Sequence, residues 1–349
     1  MTIGANETVE QPEAAGDDAV RPFAVSALDL RGRAIQMGPA LDAILARHDY
    51  PPAVSKLLGE AVVLAILLGS SLKFEGKFIL QTETDGPVDM LVVDFRTPDA
   101  VRAYARFDGS AVAQAELDGS ADPASLLGNG VLAMTIDQGT KMSRYQGVVP
   151  LEGDTLEDVA HTYFRQSEQI PTRIRLAVAE MQIRENGVIN HRWRAGGLLA
   201  QFLPRHSERM RQPDLPGGNV PDEMEIDAPA TDDSWVEAQS LLNTVEDHEL
   251  TDPAVPVERL LYRLFHERGV RVFSPAAIHD RCSCSRDRVR TVFDRFTADE
   301  IKESIEDGAI SATCEFCGMK YFFDPDEFAD ADNESSAGPR GSQDSRNPV

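Results

Sequence analysis

The sequence predicts an α+β protein with an N-terminal domain of mainly antiparallel sheet plus helices, a middle helical linker region and a small C-terminal four-cysteine zinc domain. Three observations predict this architecture. Segments of strand character, separated by turn residues, recur between residues 77 and 183. Two amphipathic helical patterns follow a long polar stretch, and all the cysteines then lie within residues 282–317.

Composition and charge exclude several classes of protein. The chain has 349 residues, with 58 acidic and 34 basic side chains and a formal net charge of -24. Such a surface repels phosphate backbones, so we predict no nucleic-acid partner. Few, clustered cysteines indicate a reducing compartment, and the N-terminus lacks the features of a signal peptide, so we predict a cytoplasmic location.

Residues 1–20 are predicted to be a disordered acidic tail, and residues 21–204 an N-terminal α+β domain. Helices are expected over residues 37–47 and 53–72. The apolar run at residues 57–72 contains Glu60 and is too short to span a bilayer, so we predict a buried helix and no membrane partner. A further helix over residues 156–168 follows a cap at Asp154-Thr155. The predicted strands are residues 77–84, 90–95, 101–107, 130–136, 145–149 and 174–183.

Residues 205–272 are predicted to be an acidic loop followed by helical linker segments. The loop, residues 205–233, is polar and rich in proline and acidic residues. Helices are predicted over residues 234–245 and 256–267, whose apolar stripes ordinarily pack on a neighbouring domain or on each other. The sharper alternative is that they cover a surface that is sometimes uncovered. The stripes consist of Trp235, Ala238, Leu241, Leu242 and Val245, then Val257, Leu260, Leu261, Leu264 and Phe265.

Residues 273–328 are predicted to form the cysteine module, and residues 329–349 a second disordered tail. A helix over residues 285–296 places its apolar residues on one face. Thr297-Ala-Asp-Glu300 is a capping box that begins a second helix over residues 298–306, and Gly308 fits its C-terminal stop. Residues 310–313 and 319–323 are predicted to form a hairpin with the second cysteine pair at its tip.

The cysteines come as two close pairs, Cys282-x-Cys284 and Cys314-x-x-Cys317. Four thiolates in such pairs suit one tetrahedral Zn²⁺, with Zn–S bonds of about 2.3 Å. Gly318 fits a turn whose backbone N–H groups point back at the sulfurs. His279 lies near the first pair, but four cysteines already complete the tetrahedron.

Three interpretations of this site compete. Zinc that only stabilises the fold is the simplest interpretation. A zinc ribbon for nucleic acid is disfavoured because acidic residues outnumber basic ones 12 to 7 over residues 273–328. A redox switch is the third, since thiolates are the oxidisable form of cysteine and paired cysteines can form disulfides, which cannot ligate zinc as thiolates do.

The enzyme alternative has little support in the sequence. No phosphate-binding loop, nucleophile elbow or H-E-x-x-H motif occurs, and Gly128-Asn129-Gly130 is better explained as a turn before a strand. We predict no catalytic residues and no organic cofactor. An enzyme carrying a structural zinc module stays the rival, with a substrate site near Ser167-Glu168-Gln169 or Gly196-Gly197. The simpler interpretation of those two motifs is a helix end and a turn.

Residues across most of the chain resemble a known family. The resemblance is carried by Leu264-Phe-His-Glu, Cys282-Ser-Cys284-Ser-Arg, Cys314-Glu-Phe-Cys317-Gly, His48-Asp49-Tyr50-Pro51, Arg144-Tyr-Gln-Gly147-Val-Val, Leu151-Glu-Gly-Asp154-Thr-Leu, Tyr163-Phe164 with Ser167-Glu168-Gln169, and Ala195-Gly-Gly197 with Gln201. In the same order, over about residues 21–328, these segments resemble the redox-regulated holdase chaperone family, the thirty-three-kilodalton heat-shock chaperonin. The sequence departs from that pattern in its tails and in the acidic insertion at residues 207–233.

The resemblance implies ATP-independent binding of unfolding proteins, switched on by oxidation, in a stress response. It implies that Cys282, Cys284, Cys314 and Cys317 bind one Zn²⁺ when reduced. The implied disulfides after oxidation are Cys282–Cys284 and Cys314–Cys317, and a homodimer is a possible partner state. The expected mechanism is that loss of zinc unfolds the module, and that the linker helices then uncover apolar faces for unfolded clients.

Overall fold

The structure is a computed structural model that describes residues 17–72, 75–139, 144–185, 188–203, 232–306 and 308–332. The predictions for residues 1–16, for the acidic loop at 204–231 and for residues 333–349 lie outside these ranges. The chain divides into two compact units, Met1–Arg281 and Cys282–Val349.

The first unit is built of two β-sheets and the helices that pack on them. In chain order its strands are β1 (Ala19–Val25), β2 (Leu30–Met37), β3 (Lys77–Thr84), β4 (Met90–Arg96), β5 (Ala100–Arg106), β6 (Gly130–Asp137), β7 (Tyr145–Pro150), β8 (Thr172–Glu185), β9 (Val188–Phe202), β10 (Val270–Val272), β11 (Ala276–Ala277) and β12 (His279–Asp280). Its α-helices are α1 (Pro39–Leu45), α2 (Pro52–Gly69), α3 (Gly109–Asp118), α4 (Pro123–Leu127), α5 (Leu156–Tyr163), α6 (Asp233–Leu242), α7 (Asp247–Thr251) and α8 (Val257–Phe265). Short 3₁₀ and π turns follow β1 and α5.

The sheets are almost wholly antiparallel, as the sequence predicts. The first has the strand order β10-β1-β2-β9-β8, and β11 extends it by pairing with β1. The second has the order β12-β5-β4-β3-β6-β7, in which the pairing of β12 with β5 is parallel. The α+β class of the chain is therefore confirmed.

Helix α2 lies in the core between the two sheets. It contacts β4 and β5 of the second sheet and β8 and β9 of the first, and its side chains from Ala61 to Leu67 have no exposed surface. By length and composition alone the helix could cross a membrane, but 78% of its apolar window is buried inside the protein. Pro52 begins the helix one residue before the predicted start at residue 53, and the helix ends at Gly69, three residues before the predicted end at residue 72. The prediction of a buried helix is confirmed.

Glu60 is an acidic residue within this buried helix. Burial raises the pKa of Glu60 to about 7, and the carboxylates of Glu157 and Asp247 act in the same direction, while Lys56 opposes them. A carboxyl group with this pKa is protonated in part at neutral pH.

Helices α6, α7 and α8 cover the face of the first sheet that points away from α2. Their apolar stripes form one buried cluster with that face, to which the sheet contributes side chains such as Phe23, Leu30 and Phe202. Trp235, Leu242, Leu260 and Phe265 are each 5% exposed or less. The ordinary interpretation of the two stripes, packing on a neighbouring domain, is thus what this structure shows.

The second unit is small. Its strands are β13 (Ile305–Glu306), β14 (Ala309–Thr313) and β15 (Lys320–Phe323), its helices are α9 (Arg286–Phe293) and α10 (Ala298–Glu303), and a 3₁₀ helix covers Pro325–Asp332. Its buried cluster contains Phe293, Ile301, Ile310, Phe323 and Phe328. An apolar core of this size supplies little of the free energy that a small domain needs to stay folded.

Several local predictions are confirmed and others are wrong. The helix predicted over residues 298–306 ends at Glu303, and Ile305–Glu306 form β13. Thr155 accepts a hydrogen bond from the Asp158 amide as the cap of α5, and the capping box at Thr297 and Glu300 is present. Gly308 does not end α10. It lies with φ of 81° in the turn that joins β13 to β14, because the chain after α10 turns back as a strand.

Candidate functional site

The second pair of cysteines lies at the tip of the β14–β15 hairpin. The Cys314 amide donates to the Met319 carbonyl at 2.9 Å, and the Gly318 amide donates to the Cys314 carbonyl at 2.8 Å. Gly318 has φ of 69°, in the left-handed region that favours glycine. This turn lets the amides of Phe316 and Cys317 point at the sulfur of Cys314, as its sequence predicts.

The four sulfurs form one cluster. The Sγ atoms of Cys282 and Cys314 are 3.7 Å apart, those of Cys284 and Cys317 are 3.3 Å apart, and all four lie within 4.8 Å of one another. A tetrahedron with Zn–S bonds of about 2.3 Å has edges of about 3.8 Å. The spacing of the sulfurs therefore fits one tetrahedral metal ion.

Burial makes this cluster dependent on a cation. Burial raises the pKa of the Cys317 thiol to about 12 and raises that of Cys314 as well. Without a positive charge these half-buried thiols would stay protonated, whereas a bound divalent ion deprotonates the thiols that coordinate it. The four cysteines can hold a metal ion, and the chemistry of their sulfurs favours a thiophilic one.

Tyr321 is a site residue that the sequence analysis missed. Its hydroxyl donates to Cys284 Sγ at 3.1 Å. This hydrogen bond, with burial second, raises the pKa of Tyr321 to about 12. The alternation of β15 could have shown which side chains share the face of the hairpin that carries the cysteines, but not that one of them reaches a sulfur.

The other candidates from the sequence lie elsewhere. His279 does not belong to the metal-binding group, and its Nε2 lies 3.9 Å from Asp99 Oδ2. Glu168 ends the π turn after α5 and accepts a hydrogen bond from the Tyr163 hydroxyl at 3.0 Å. The helix-end interpretation therefore holds for the motif of residues 167–169.

Gly196 and Gly197 lie inside β9 and not in a turn. A Cβ atom at Gly196 would lie 2.1 Å from the carbonyl oxygen of Leu250, and one at Gly197 would lie 2.5 Å from Val63. Because side chains alternate across a strand, the two glycines allow α7 to approach one face of the sheet and α2 the other. Close packing explains these glycines, so the rival enzyme site loses this support.

Aromatic contacts join the linker helices to the sheet. The rings of Phe265 and Phe23 stack with centroids 6.0 Å apart, and those of Trp235 and Phe202 lie at the same distance. Phe265 has no exposed surface, whereas Tyr262 on the same helix is 64% exposed. The helix α8 thus has a docked face and a free face.

Buried polar side chains of the sheet also hold the linker backbone. Gln36 donates to the Val255 carbonyl at 2.8 Å and accepts from the Val257 amide at 3.1 Å, which satisfies the first turn of α8. Arg194 donates to the Thr251 carbonyl at 2.7 Å. Arg21, which is 1% exposed, forms an ion pair with Glu258. These contacts fix the register of the linker on the sheet.

The fold and the site define a class: an α+β protein with amphipathic helices docked on its first sheet and a small unit whose four cysteines can hold a metal ion. Comparison with known protein families assigns the chain to one family. The family model described as Hsp33 protein matches residues 18–324, so the chain belongs to the Hsp33 family.

Curated relatives agree with this assignment. The 33 kDa chaperonin of Caulobacter vibrioides (strain NA1000 / CB15N) is 45% identical over 312 residues, which cover 88% of this chain and 95% of that protein. The 33 kDa chaperonin of Vibrio cholerae is 34% identical, with 89% and 94% covered. The family and these names indicate an Hsp33-type chaperone.

A solved structure supports the fold. The crystal structure of the 33 kDa chaperonin from Thermotoga maritima aligns with a TM-score of 0.66 and covers 90% of this chain and 97% of its own. Because the two sequences are 19% identical, this likeness is evidence for the fold alone.

Proposed function

We propose that this chain is a redox-regulated, ATP-independent chaperone of the holdase type, which binds unfolding proteins in the cytoplasm under oxidative stress. The observation that carries the proposal is the clustering of all four cysteine sulfurs within 4.8 Å in a unit whose apolar core is very small. Such a unit gains most of its folding free energy from its metal, so a reaction of the cysteines decides whether it is folded.

Zn²⁺ is the ion we assign to the site, with Cys282, Cys284, Cys314 and Cys317 as its ligands. The sulfur spacing supports a tetrahedral ion, and zinc prefers four thiolates in a closed structural site. When bound, zinc would keep the sulfurs deprotonated and contribute about 10–16 kcal/mol to folding. Tyr321 would orient Cys284 from the second β-strand of the hairpin.

The oxidant in the proposed switch is a peroxide, which accepts the two electrons released when a disulfide forms. One thiolate attacks a peroxide oxygen, which breaks the O–O bond and gives a sulfenic acid and hydroxide. The neighbouring thiolate then attacks that sulfur, the S–S bond forms, and a second hydroxide leaves. Formation of each disulfide thus transfers two electrons from a pair of thiolates to one peroxide, which becomes two waters after protonation. The sulfurs so joined no longer serve as thiolate ligands.

The proposed disulfides are Cys282–Cys284 and Cys314–Cys317. The sulfur–sulfur contacts at 3.3 and 3.7 Å join cysteines of different motifs. Within each motif the two sulfurs also lie within 4.8 Å of each other, so they must approach to about 2.05 Å to form the S–S bond. Mass spectrometry of peptides from the oxidised chain distinguishes this pairing from Cys282–Cys314 with Cys284–Cys317.

The linker helices supply the proposed client surface. Trp235, Leu260, Leu264 and Phe265 are buried against the first sheet, and Leu241 packs beside them. If the linker undocks, both its own stripe and the sheet face become available to apolar segments of unfolded clients. The net charge of -24 would keep such complexes soluble and disfavours nucleic acid as a partner. A homodimer of the oxidised form belongs to the same proposal.

The domain boundaries are part of this proposal. They are a tail at 1–20, a client-binding domain at 21–204, an acidic loop and linker at 205–272, a redox-switch domain at 273–328 and a tail at 329–349. In the structure, Ala19 and Val20 already belong to β1, and the residues up to Arg281 belong to the first compact unit.

The decisive experiment measures zinc and chaperone activity together. The reduced, zinc-loaded chain is treated with peroxide while a chromophoric chelator reports released zinc and light scattering reports aggregation of a heat-unfolded protein. We expect zinc release and suppression of aggregation to rise together and to reverse on reduction with zinc present. Zinc release without any gain in suppression would refute the chaperone switch, and turnover of a small molecule would favour the rival enzyme.

A matched pair of variants distinguishes the loss of a metal ligand from a change in a neighbouring residue. Cys284→Ser removes a ligand, whereas Ser283→Ala changes the residue between the first two cysteines. We expect Cys284→Ser to lose zinc and to suppress aggregation without peroxide, and Ser283→Ala to behave as the unaltered chain does. A zinc-free but inactive Cys284→Ser would show that loss of metal alone does not activate.

A further inference from the structure

A cavity of about 600 Å³ opens into the first unit at the end of helix α2. Its floor is the core-facing side of the first sheet, and its walls come from the end of α2, from the second sheet and from the turn after α5. Most of its lining is apolar and includes Leu72, Phe78, Ile136, Phe164 and Leu199. A volume of this order is typical of small-molecule sites, which range from about 300 to 1,000 Å³.

Two arginines from one strand line this apolar cavity. Arg31 and Arg33 are two positions apart on β2, so their side chains share the sheet face that continues into the core at Ile35 and Met37. Arg33 is half-buried, and burial lowers the pKa of its guanidinium. The cavity therefore has a cationic side within an otherwise apolar lining.

Other buried arginines of this sheet have a carboxylate partner. Arg21 of the same sheet pairs with Glu258, and Arg194 pairs with Asp17 at 2.5 Å. Among the residues that the structure describes, none forms a hydrogen bond or an ion pair with the side chain of Arg33. Glu168 also lines the cavity, but its carboxylate accepts the Tyr163 hydroxyl. A partly desolvated cation in an apolar setting is costly unless an anion accompanies it.

We propose that this cavity binds a single-chain anionic amphiphile of the fatty-acid class. Its carboxylate would pair with Arg33, assisted by Arg31, and its alkyl chain would lie against the apolar walls. The charge complementarity favours this ligand over a neutral lipid, and the apolar lining favours it over a phosphate or nucleotide. The proposal does not depend on the chaperone switch.

Isothermal titration calorimetry of the reduced, zinc-loaded full chain with sodium dodecanoate, below its micelle concentration, tests this site. We expect saturable binding of one dodecanoate per chain. Dodecanol, which has the same chain and no charge, should bind at least about ten-fold more weakly, because a charge-assisted hydrogen bond is lost. Octanoate should also bind at least about ten-fold more weakly, because less apolar surface is buried.

Three variants locate the ligand. Arg33→Gln should weaken dodecanoate binding by at least about ten-fold while leaving dodecanol unchanged. Arg96→Gln, an exposed arginine of β4 outside the cavity, is the matched control and should bind as the unaltered chain does. Ala24→Phe places a ring in the cavity from the same sheet face as Arg31 and should abolish binding of both probes.

Thermal unfolding of each variant checks that it is folded. The proposal is overturned by an absence of saturable binding, by several weak sites per chain, by equal affinity for dodecanol and dodecanoate, or by full affinity in folded Arg33→Gln or Ala24→Phe.

Discussion

Replacing Phe265 with alanine should activate the chain without an oxidant. Phe265 is the last residue of α8, has no exposed surface, and stacks on Phe23 of β1. It lies on the docked face of the linker and in the first unit, away from the cysteines in sequence. The substitution therefore tests whether undocking of the linker is sufficient for chaperone activity.

The expected loss of docking free energy follows from the burial of the Phe265 side chain. Truncating a fully buried phenylalanine to alanine costs about 3–5 kcal/mol, the upper part of the range applying where the cavity cannot collapse. Since a ten-fold change in an equilibrium corresponds to about 1.4 kcal/mol, the docked fraction of the linker should shift by about a hundred-fold to a few thousand-fold. A linker held by only a few kcal/mol would then be largely undocked.

Two measurements on the reduced, zinc-loaded chain check this prediction. Hydrogen exchange should become faster at the amides of α8, and suppression of aggregation should approach that of the peroxide-treated chain. Tyr262→Ala removes an aromatic ring of similar size from the free face of the same helix, where the residue is 64% exposed. We expect this control to change neither measurement, because surface substitutions usually alter stability by less than about 0.5 kcal/mol.

One outcome would refute the reasoning directly. If Phe265→Ala speeds exchange throughout α8 with zinc retained, yet aggregation of the client is not suppressed, then the linker and the sheet face beneath it are not the client surface. If hydrogen exchange in α8 is unchanged, the substitution costs less docking free energy than the burial of Phe265 implies.

Three further substitutions test other parts of the structure. Tyr321→Phe removes the hydroxyl that donates to Cys284 and should weaken zinc binding by about ten-fold or more, measured by competition with a chelator; unaltered affinity would contradict an orienting role. Burial raises the pKa of Glu60 from 4.5 in the unfolded chain to about 7 in the folded chain. The protonated carboxyl group therefore favours the folded state at a pH below 4.5, and this contribution to stability is lost as the pH rises through 7. Glu60→Gln should therefore raise the free energy of unfolding at pH 8 by up to about 3 kcal/mol and change it little at pH 4.5, as urea titrations would show, while an equal effect at both values would exclude titration as the cause. Gly196→Ala would place a Cβ atom 2.1 Å from the Leu250 carbonyl and should destabilise the chain by about 1–3 kcal/mol with faster exchange in α7; a stability equal to that of the unaltered chain would show that α7 moves freely.

Strand prediction succeeded where alternation and turn residues agree. The segment Lys77–Thr84 was predicted with the bounds that the structure has, because it alternates and is followed by an Asp-Gly-Pro turn. The sequence predicts no strand at β1, β2 or β9, nor at the short strands β10 to β13. Arg31 and Arg33 on β2, and the paired glycines of β9, obscure the pattern, since their places are set by a cavity and by helices that approach from other parts of the chain.

The candidate metal centre could also be predicted only in part from the sequence. The spacing of Cys282, Cys284, Cys314 and Cys317 was enough to predict that they meet, because two close pairs match the edges of one tetrahedron. Tyr321 at the sulfur and Gln36 at the linker could not be predicted. Both act through side-chain hydrogen bonds to segments distant in sequence, and neither residue type carries a periodic signal.

The helicity of the linker and the burial of its apolar faces depend on each other. Helices α6 and α8 have 10 and 9 residues, and α7 has 5. Isolated helices shorter than about 12–15 residues are marginal in water, so these persist because the first sheet holds them. Undocking would therefore release a mostly unfolded segment and not a set of rigid helices. A flexible apolar segment beside a preformed sheet face can adapt to clients of many shapes, at the cost of ordering itself on each, which predicts broad specificity with modest affinity.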